Sequence, residues 1–291
     1  MILPSILKDN GICLENHIFR FRSDNYNEQD YGNSLKEILN NQIWHSTIGN
    51  LNDPFEVYFK RDENELNGLS RQDLALLLKN SKILQEHDKY IITSFLNNDF
   101  EELHGDLAYA VESALPALRA KFRERVAVAC FTQLCTGRLM WGYYCNGFKG
   151  LCIIYNKNRL TDSDISLSEV SYSSTMPLVK PTEWMIKQRR NLPLDGITDF
   201  AKTKHSDWKT ENEHRSLFFL DDNDLNNSPY GYLHKLDGNC IDGIILGNDY
   251  SPAGLDHIKK HAEDNHIKLF KASANLEEYN INFESLCLTT G

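Results

Sequence analysis

Residues Val126-Ala127-Val128-Ala129-Cys130-Phe131 form a short and almost entirely apolar run. Such a run is typical of a strand that is buried on both faces, so we expect a central strand here. Short apolar or alternating segments predict further strands at 17–23, 43–47, 151–155, 166–172, 213–220, 241–247 and 267–271. The chain therefore has the strands for one substantial sheet.

Helical spacing dominates the chain before the central strand. Residues 70–124 are predicted to be helical, with Ser70 and Asp73 as a capping pair at the start. A further helix is expected over 182–204, and Ser251-Pro252 is typical of a helix start. Because helices cluster in the first half and strands in the second, the sequence predicts an α+β fold. We expect one domain over 1–291, with a helical insertion at about 60–124.

The composition is that of an ordinary globular protein. Hydrophobic residues make up 41% and charged residues 25% of the chain, which is enough for a sizeable core. The formal net charge of −10 argues against binding nucleic acid through bulk electrostatics, although a local basic groove would still allow it. The seven cysteines form no CxxC pair and no zinc pattern, and we interpret them as reduced core thiols.

The sequence also carries expectations about location. The apolar start of the chain is too short for a signal peptide and lacks a basic leader. No stretch approaches the roughly 18 apolar residues that a membrane-spanning helix needs. We therefore expect a cytoplasmic protein with no membrane partner.

Two carboxylates and a guanidinium alternate in Glu211-x-Glu213-x-Arg215. Residues two apart in a strand share a face, so the three side chains are expected to line one surface. Like charges at this separation raise each other's pKa unless a cation or ligand intervenes. The alternative is a solvated strand face on which a glutamate pairs locally with Arg215.

Two other segments carry candidate binding residues. In Phe19-Arg20-Phe21-Arg22 the two arginines are expected on one face, where they would suit phosphate, or would simply be solvated. The segment from Trp141 to Tyr144 places three aromatic side chains in four positions, which would stack a planar ring or fill the core. No paired histidine or HExxH spacing predicts a metal site.

Taken together, these segments resemble an uncharacterised bacterial family. The match includes Asn52-Asp53-Pro54-Phe55-Glu56, and the full set of matching segments is 18–23, 43–46, 52–56, 129–132, 140–144, 150–154 and 208–215. Each segment is weak alone, whereas all of them in this order are specific. The chain departs from the family pattern in its longer helical region at about 60–124 and in Thr132, where serine is more usual.

The layout also looks like the ADP-ribosyltransferase fold, which implies a mixed-sheet core. Enzymes of that fold place an Arg or His on an early strand and a Ser, Thr or aromatic residue on a middle strand. A catalytic glutamate follows near the start of a later strand. The resemblance assigns these places to Arg20, Thr132 and Glu213, with Glu211 facing the acceptor.

The implied chemistry is transfer of ADP-ribose from NAD, with no metal. A carboxylate at Glu213 would stabilise the oxocarbenium-like ribose, and Glu211 would orient or deprotonate the accepting nucleophile. The resemblance implies that Arg20 holds the pyrophosphate of NAD or the adjacent ribose, and Arg22 and Thr132 are further candidate cofactor-binding residues. It further implies that an aromatic side chain clamps the nicotinamide ring, and the candidates are Trp141, Tyr143 or Tyr144.

Without an export signal, such an enzyme would modify a target inside its own cell. We expect a toxin of a toxin–antitoxin or phage-defence system, with a protein or nucleic-acid acceptor and a cognate antitoxin as partners. Two alternatives stay open. One is a binding or sensing module that keeps the fold without catalysis, and the other is a nuclease that holds a divalent metal with Glu211 and Glu213.

Overall fold

The computed structural model describes residues 3–23, 32–67, 69–78, 97, 100–192 and 198–286. The α-helices are α1 Ser5–Asp9, α2 Gly32–Leu39, α3 Arg71–Leu78, α4 Phe100–Arg125, α5 Arg138–Tyr143, α6 Lys157–Asp162, α7 Pro181–Arg189, α8 Asp222–Asn227 and α9 Pro252–Asp264. The strands are β1 His17–Arg22, β2 Gln42–Thr47, β3 Lys60–Arg61, β4 Val126–Thr132, β5 Leu151–Asn156, β6 Ser168–Glu169, β7 Ser171–Ser173, β8 Leu178–Val179, β9 Thr203–His205, β10 Glu213–Phe219, β11 Gly231–Lys235, β12 Ile241–Gly247, β13 Lys268–Ala274 and β14 Ile281–Ser285. Short 3₁₀ helices occur at Ile48–Asn50, Asp199–Lys202 and Ser206–Glu211.

The contacts divide the chain into two compact units. The first contains residues 1–47, 127–170 and 206–291, and the second contains 48–126 and 171–205. The helical region expected at about 60–124 belongs to the second unit. That the chain forms a single domain stays a prediction.

One large sheet organises the first unit. Its strand order is β11-β2-β4-β1-β5-β12-β13-β14, and β10 pairs with both β4 and β6. The β12–β13 pair is parallel, while β1 pairs antiparallel with β4 and β5, so the sheet is mixed. The predicted α+β class is confirmed at this level, and the predicted buried strand is β4.

Strand alternation divides the core of this unit between the two faces of the sheet. Ile18 packs in one apolar cluster, whereas Phe19 and Phe21 pack in another. In β5, Ile153 belongs to the first cluster and Cys152 to the second. The alternation expected for residues 17–23 is therefore correct.

The second unit contains α3, α4 and α7 with two small parallel ribbons, β3–β8 and β7–β9. Its aromatic core joins Phe59, Phe122 and Phe200, with ring centroids 5.2 Å apart for Phe59–Phe200 and 4.6 Å for Phe122–Phe200.

The capping pair is confirmed, since Ser70 Oγ accepts from the Asp73 N–H at 3.1 Å and donates to Asp73 Oδ2 at 2.7 Å. Of the helical stretch expected at 70–124, residues 79–96, 98 and 99 lie outside the described part.

The helix expected over 182–204 is wrong in its second half. Helix α7 ends at Arg189, and Asn191 adopts a left-handed backbone with a φ of 54°. A left-handed residue at this position ends a helix, and asparagine tolerates that conformation better than most residues. The chain then forms the 3₁₀ helix Asp199–Lys202 and strand β9, while residues 193–197 lie outside the described part.

Strands β11 and β14 are absent from the sequence prediction, although both extend the large sheet. Within the described residues, no helix has the length and apolar character needed to cross a membrane.

His45 gives a test of this core. Its side chain is fully buried, and burial, with the positive charge of Arg20 beside it, lowers its pKa from 6.5 to about 3. The folded protein therefore binds fewer protons than the unfolded chain between these values, so its stability falls as the pH falls. A buried neutral histidine costs about 1.4 kcal/mol of the free energy of unfolding for each pH unit below about 6.5, and His45→Leu is expected to abolish this cost.

Urea denaturation of both proteins at pH 8 and pH 5 measures the effect. Replacement of the exposed His205 serves as the matched control, because that side chain is solvated in the folded protein. An equal loss of stability between pH 8 and pH 5 in wild type and His45→Leu would contradict a neutral, buried His45.

Candidate functional site

The two glutamates of the candidate site lie in different backbone environments. Glu211 ends the 3₁₀ helix Ser206–Glu211, and Glu213 begins strand β10. Between them Asn212 adopts a left-handed backbone with a φ of 45°. The expected common strand face of Glu211, Glu213 and Arg215 is therefore wrong for Glu211, because the strand does not reach it.

Glu213 and Arg215 do share a face of β10, where they form a bidentate ion pair. Arg215 Nε lies 2.8 Å from Glu213 Oε1, and Arg215 Nη2 lies 3.2 Å from Oε2. The two residues are only 3% and 1% exposed. The alternative of a solvated strand face is therefore wrong, although the local pairing that it assumed is correct.

Glu211 is held by residues from two other segments. The Tyr144 hydroxyl donates to Glu211 Oε1 at 2.7 Å, and Thr132 Oγ1 donates to the backbone carbonyl of Glu211 at 2.6 Å. Thr132 Oγ1 also accepts from the Leu134 N–H at 3.0 Å. The structure thus brings Thr132, Tyr144 and Glu211 together, and Glu213 follows Glu211 by two residues in the chain.

The three aromatic residues of the α5 segment have different environments. Trp141 is fully buried, donates from Nε1 to the Cys135 carbonyl at 2.8 Å, and stacks on Phe148 at a centroid distance of 5.2 Å. Trp141 is therefore a core residue, which corrects its assignment as a ring clamp. Tyr143 is 69% exposed, and Tyr144 is half-buried beside Glu211.

Arg20 and Arg22 share a face of β1 as expected, but they are not solvated. Arg20 is 5% exposed, and its Nη2 donates to the Trp44 carbonyl at 2.7 Å. Glu37 Oε1 lies 3.6 Å from Arg20 Nη2 and 3.1 Å from Arg22 Nη2. Both arginines therefore compensate a buried carboxylate of helix α2.

The arginine pair lies on the opposite face of the β1–β4 pair from Thr132. Thr132 is directly opposite Phe19 in the register, so these two side chains share a face. Arg20 is one residue further along and lies over the ring of Phe131, at 5.4 Å from its centroid. Arg20 and Thr132, both of which are expected to bind the cofactor, thus lie on opposite faces of the sheet.

Sequence reasoning missed the buried polar residues around this arginine pair. Glu37 lies between the apolar residues Leu35 and Ile38 of α2, and this position beside the apolar stripe was the available signal. His45 follows Ile43 by two residues in β2, so both side chains lie on the buried face of that strand. Burial raises the pKa of the third missed residue, Tyr155, beyond its ordinary value.

Within the described part of the chain, no three His, Cys, Asp or Glu side chains are close enough together to hold a metal ion.

A family of proteins of unknown function, DUF2971, matches residues 140–216. The matched stretch contains Tyr144, Glu211, Glu213 and Arg215, and it does not extend to Arg20 or Thr132. The match is consistent with the predicted resemblance to an uncharacterised family. No curated protein and no solved structure matches the chain.

The buried ion pair gives a direct test of the site geometry. Arg215→Met removes the guanidinium that contacts both oxygens of Glu213, and the loss of one partner from a buried pair typically costs about 3–5 kcal/mol. In a Glu213→Gln background the same replacement is expected to cost clearly less, because no charged carboxylate is left behind. A double-mutant cycle of urea denaturation measures this coupling. Additivity within about 0.5 kcal/mol would contradict the pair.

Proposed function

We propose that this protein is an ADP-ribosyltransferase that transfers ADP-ribose from NAD to a macromolecular acceptor. The observation that carries the proposal is the contact of Thr132 and Tyr144 with Glu211, two residues before Glu213. Three separate segments of the chain converge there, and they are the middle-strand, aromatic and glutamate segments of the resemblance. Convergence of distant segments with compatible chemistry supports a site more strongly than any single motif.

The proposed reaction is a glycosyl transfer. The bond between ribose C1′ and the nicotinamide nitrogen breaks, and nicotinamide leaves with the electron pair of that bond. In the proposal, the carboxylate of Glu213 lies against the ribose and stabilises the positive charge that develops on it. The ion pair with Arg215 orients this carboxylate and holds it in place.

Glu211 is the proposed general base. It would accept the proton of the attacking nucleophile while the new bond forms at C1′. The hydrogen bond from Tyr144 fixes the orientation of its carboxylate. Tyr143 has the most exposed ring of the three aromatic residues, and the proposal assigns the stacking on the nicotinamide ring to it.

The partners follow from the reaction and are part of the proposal. The acceptor is a protein or a nucleic acid, and the absence of a metal requirement follows from the glycosyl-transfer chemistry. We further propose that the enzyme is cytoplasmic and acts as a toxin or phage-defence effector, with a cognate antitoxin. Arg20 and Arg22 support the fold in this proposal, because Glu37 and the Trp44 carbonyl occupy them on the other face of the sheet.

Glu213→Gln is expected to lower NAD turnover by about 100-fold or more, because the amide carries no charge for the oxocarbenium-like ribose. Release of nicotinamide from NAD, in the presence of lysate as a source of acceptors, measures the turnover. Thermal melting establishes that the variant is folded. Glu278→Gln, which changes an exposed carboxylate, is the matched control and should keep full activity.

Glu213→Asp is the companion variant if the glutamine variant folds poorly. It keeps the negative charge but withdraws the carboxylate by one methylene, so turnover should again fall while the ion pair is retained in part. Full activity in a folded Glu213→Gln or Glu213→Asp variant would sink the assignment.

A non-catalytic binding module is the second candidate, and one observation favours it. Glu213 already holds Arg215 through both carboxylate oxygens, as a purely structural ion pair would. This candidate predicts no NAD consumption by the wild-type protein and unchanged partner binding in Glu213→Gln. Incubation with NAD labelled in its adenylate part separates the two, because only the enzyme transfers label to a macromolecule.

A further inference from the structure

A cysteine, a histidine and an aspartate are aligned at the start of strand β1. Cys13 Sγ lies 3.9 Å from His17 Nδ1, and His17 Nε2 lies 2.9 Å from Asp242 Oδ2. Nδ1 also lies 3.0 Å from the Cys13 carbonyl oxygen and 3.1 Å from the Cys13 backbone nitrogen, whose N–H donates to it. The arrangement has a nucleophile, a base beside it, and a carboxylate that orients the base from its other nitrogen.

The backbone explains why these residues meet. The His17 N–H donates to the Cys13 carbonyl at 2.9 Å, and this turn brings the thiol back over the imidazole. Asp242 lies where the β12–β5 register shifts, between Ile241 and Gly243. Such irregularities re-aim side chains, and here the carboxylate meets His17 from two strands away.

Three groups hold the Asp242 carboxylate in place. Besides His17, the Asn156 amide donates to Oδ2 at 3.2 Å, and Arg159 forms an ion pair with Oδ1. These contacts, the first of them from His17, hold the pKa of Asp242 well below its ordinary value. Asp242 therefore stays charged and raises the pKa of His17, against the opposing effect of burial.

The surroundings of Cys13 favour its thiolate form. The backbone N–H of Asn16 and then the His17 side chain lower the pKa of the Cys13 thiol, while burial acts weakly in the other direction. The charged group of Lys157 also faces it, and Lys157 Nζ donates to the Leu14 carbonyl at 2.7 Å. The Glu15 backbone is a further hydrogen-bond donor to the thiolate, while the exposed Glu15 carboxylate acts on Lys157. Cationic neighbours and backbone donors are the usual means of stabilising a thiolate.

Other cysteines of the chain have the opposite environment. Cys135, Cys145 and Cys152 are buried, and burial raises the pKa of Cys135 and Cys145 to about 12. The expectation of buried core thiols is therefore correct for these three residues. It is wrong for Cys13, which is half-exposed.

We propose that Cys13 is a modification site, a nucleophilic thiolate held by His17 and Asp242 that reacts with soft electrophiles, including hydroperoxides. In the peroxide reaction, the sulfur attacks one oxygen, the O–O bond breaks, and the other oxygen leaves as hydroxide and takes up a proton. Sulfur is oxidised by two electrons to the sulfenic acid, and the peroxide is reduced. The site is independent of the proposed transfer of ADP-ribose.

Alkylation by iodoacetamide tests the proposal on the full chain. The rate at Cys13 is followed by peptide mass spectrometry from pH 5 to pH 10, with the half-exposed Cys130 as internal reference. The pH at which the alkylation rate of Cys13 reaches half of its maximum, the midpoint, is expected below the ordinary thiol pKa of about 8.5. A midpoint at or above that value would overturn the proposal.

Asp242→Asn separates activation by the histidine from simple exposure. Without the carboxylate, the midpoint of the pH–rate profile for Cys13 should move upward. For each unit of that move, the thiolate fraction near pH 6 falls about tenfold, while the less acidic thiolate becomes about threefold more nucleophilic. The alkylation rate near pH 6 should therefore fall about threefold per unit. Continued protection of Cys152 from alkylation shows that the variant is folded. An unchanged midpoint in the folded variant would contradict the role of His17 and Asp242.

A peroxide arm tests the oxidation itself. Wild-type protein is treated with hydrogen peroxide and then with dimedone, which traps sulfenic acid. A dimedone adduct on Cys13 that is less abundant in Asp242→Asn than in the wild-type protein supports the proposal. Adduct only on other cysteines, or none, would overturn it.

Discussion

Strand β4 is the element on which the candidate site depends, because β1, β2 and β10 all pair with it. Its sequence is apolar enough to be buried on both faces, and this burial fixes its register against its neighbours. Thr132, at the end of the strand, is consequently held against the Glu211 carbonyl, just before β10 begins. The position of both glutamates thus derives from the packing of a strand that carries neither of them.

The same pairing separates two buried polar groups. On one face of β1, Arg20 and Arg22 compensate Glu37. Thr132 belongs to the other face, that of Phe19, and contacts Glu211, which Tyr144 also binds. Burying such charges costs free energy unless each has a partner, and both groups meet this requirement through residues that are distant in the sequence. The fold therefore gives the two sets of charges different roles, one within the core and one at the candidate site.

Local sequence signals predicted the elements well and the partnerships poorly. The alternation of Ile18, Phe19 and Phe21 follows from the period of a strand, and the Ser70–Asp73 cap needs only four consecutive residues. In contrast, the pairing of Arg20 with Glu37 depends on how α2 docks on the sheet.

Single backbone conformations were equally hard to predict. The left-handed backbone of Asn212 prevents the two glutamates from sharing one strand face. The register shift at Asp242 directs that carboxylate towards His17. Asparagine allows the first conformation but does not require it, and no local pattern marks the second. The candidate glutamates were found by motif, while their geometry required the fold.

A crystal structure of the Glu213→Gln variant with NAD tests the central claim most directly, because it shows which of the two polar groups meets the substrate. The account predicts the nicotinamide ribose within hydrogen-bonding distance of residue 213, on the side of Thr132 and Tyr144. NAD bound instead against Arg20 and Arg22, or no NAD bound at millimolar concentration, would contradict it.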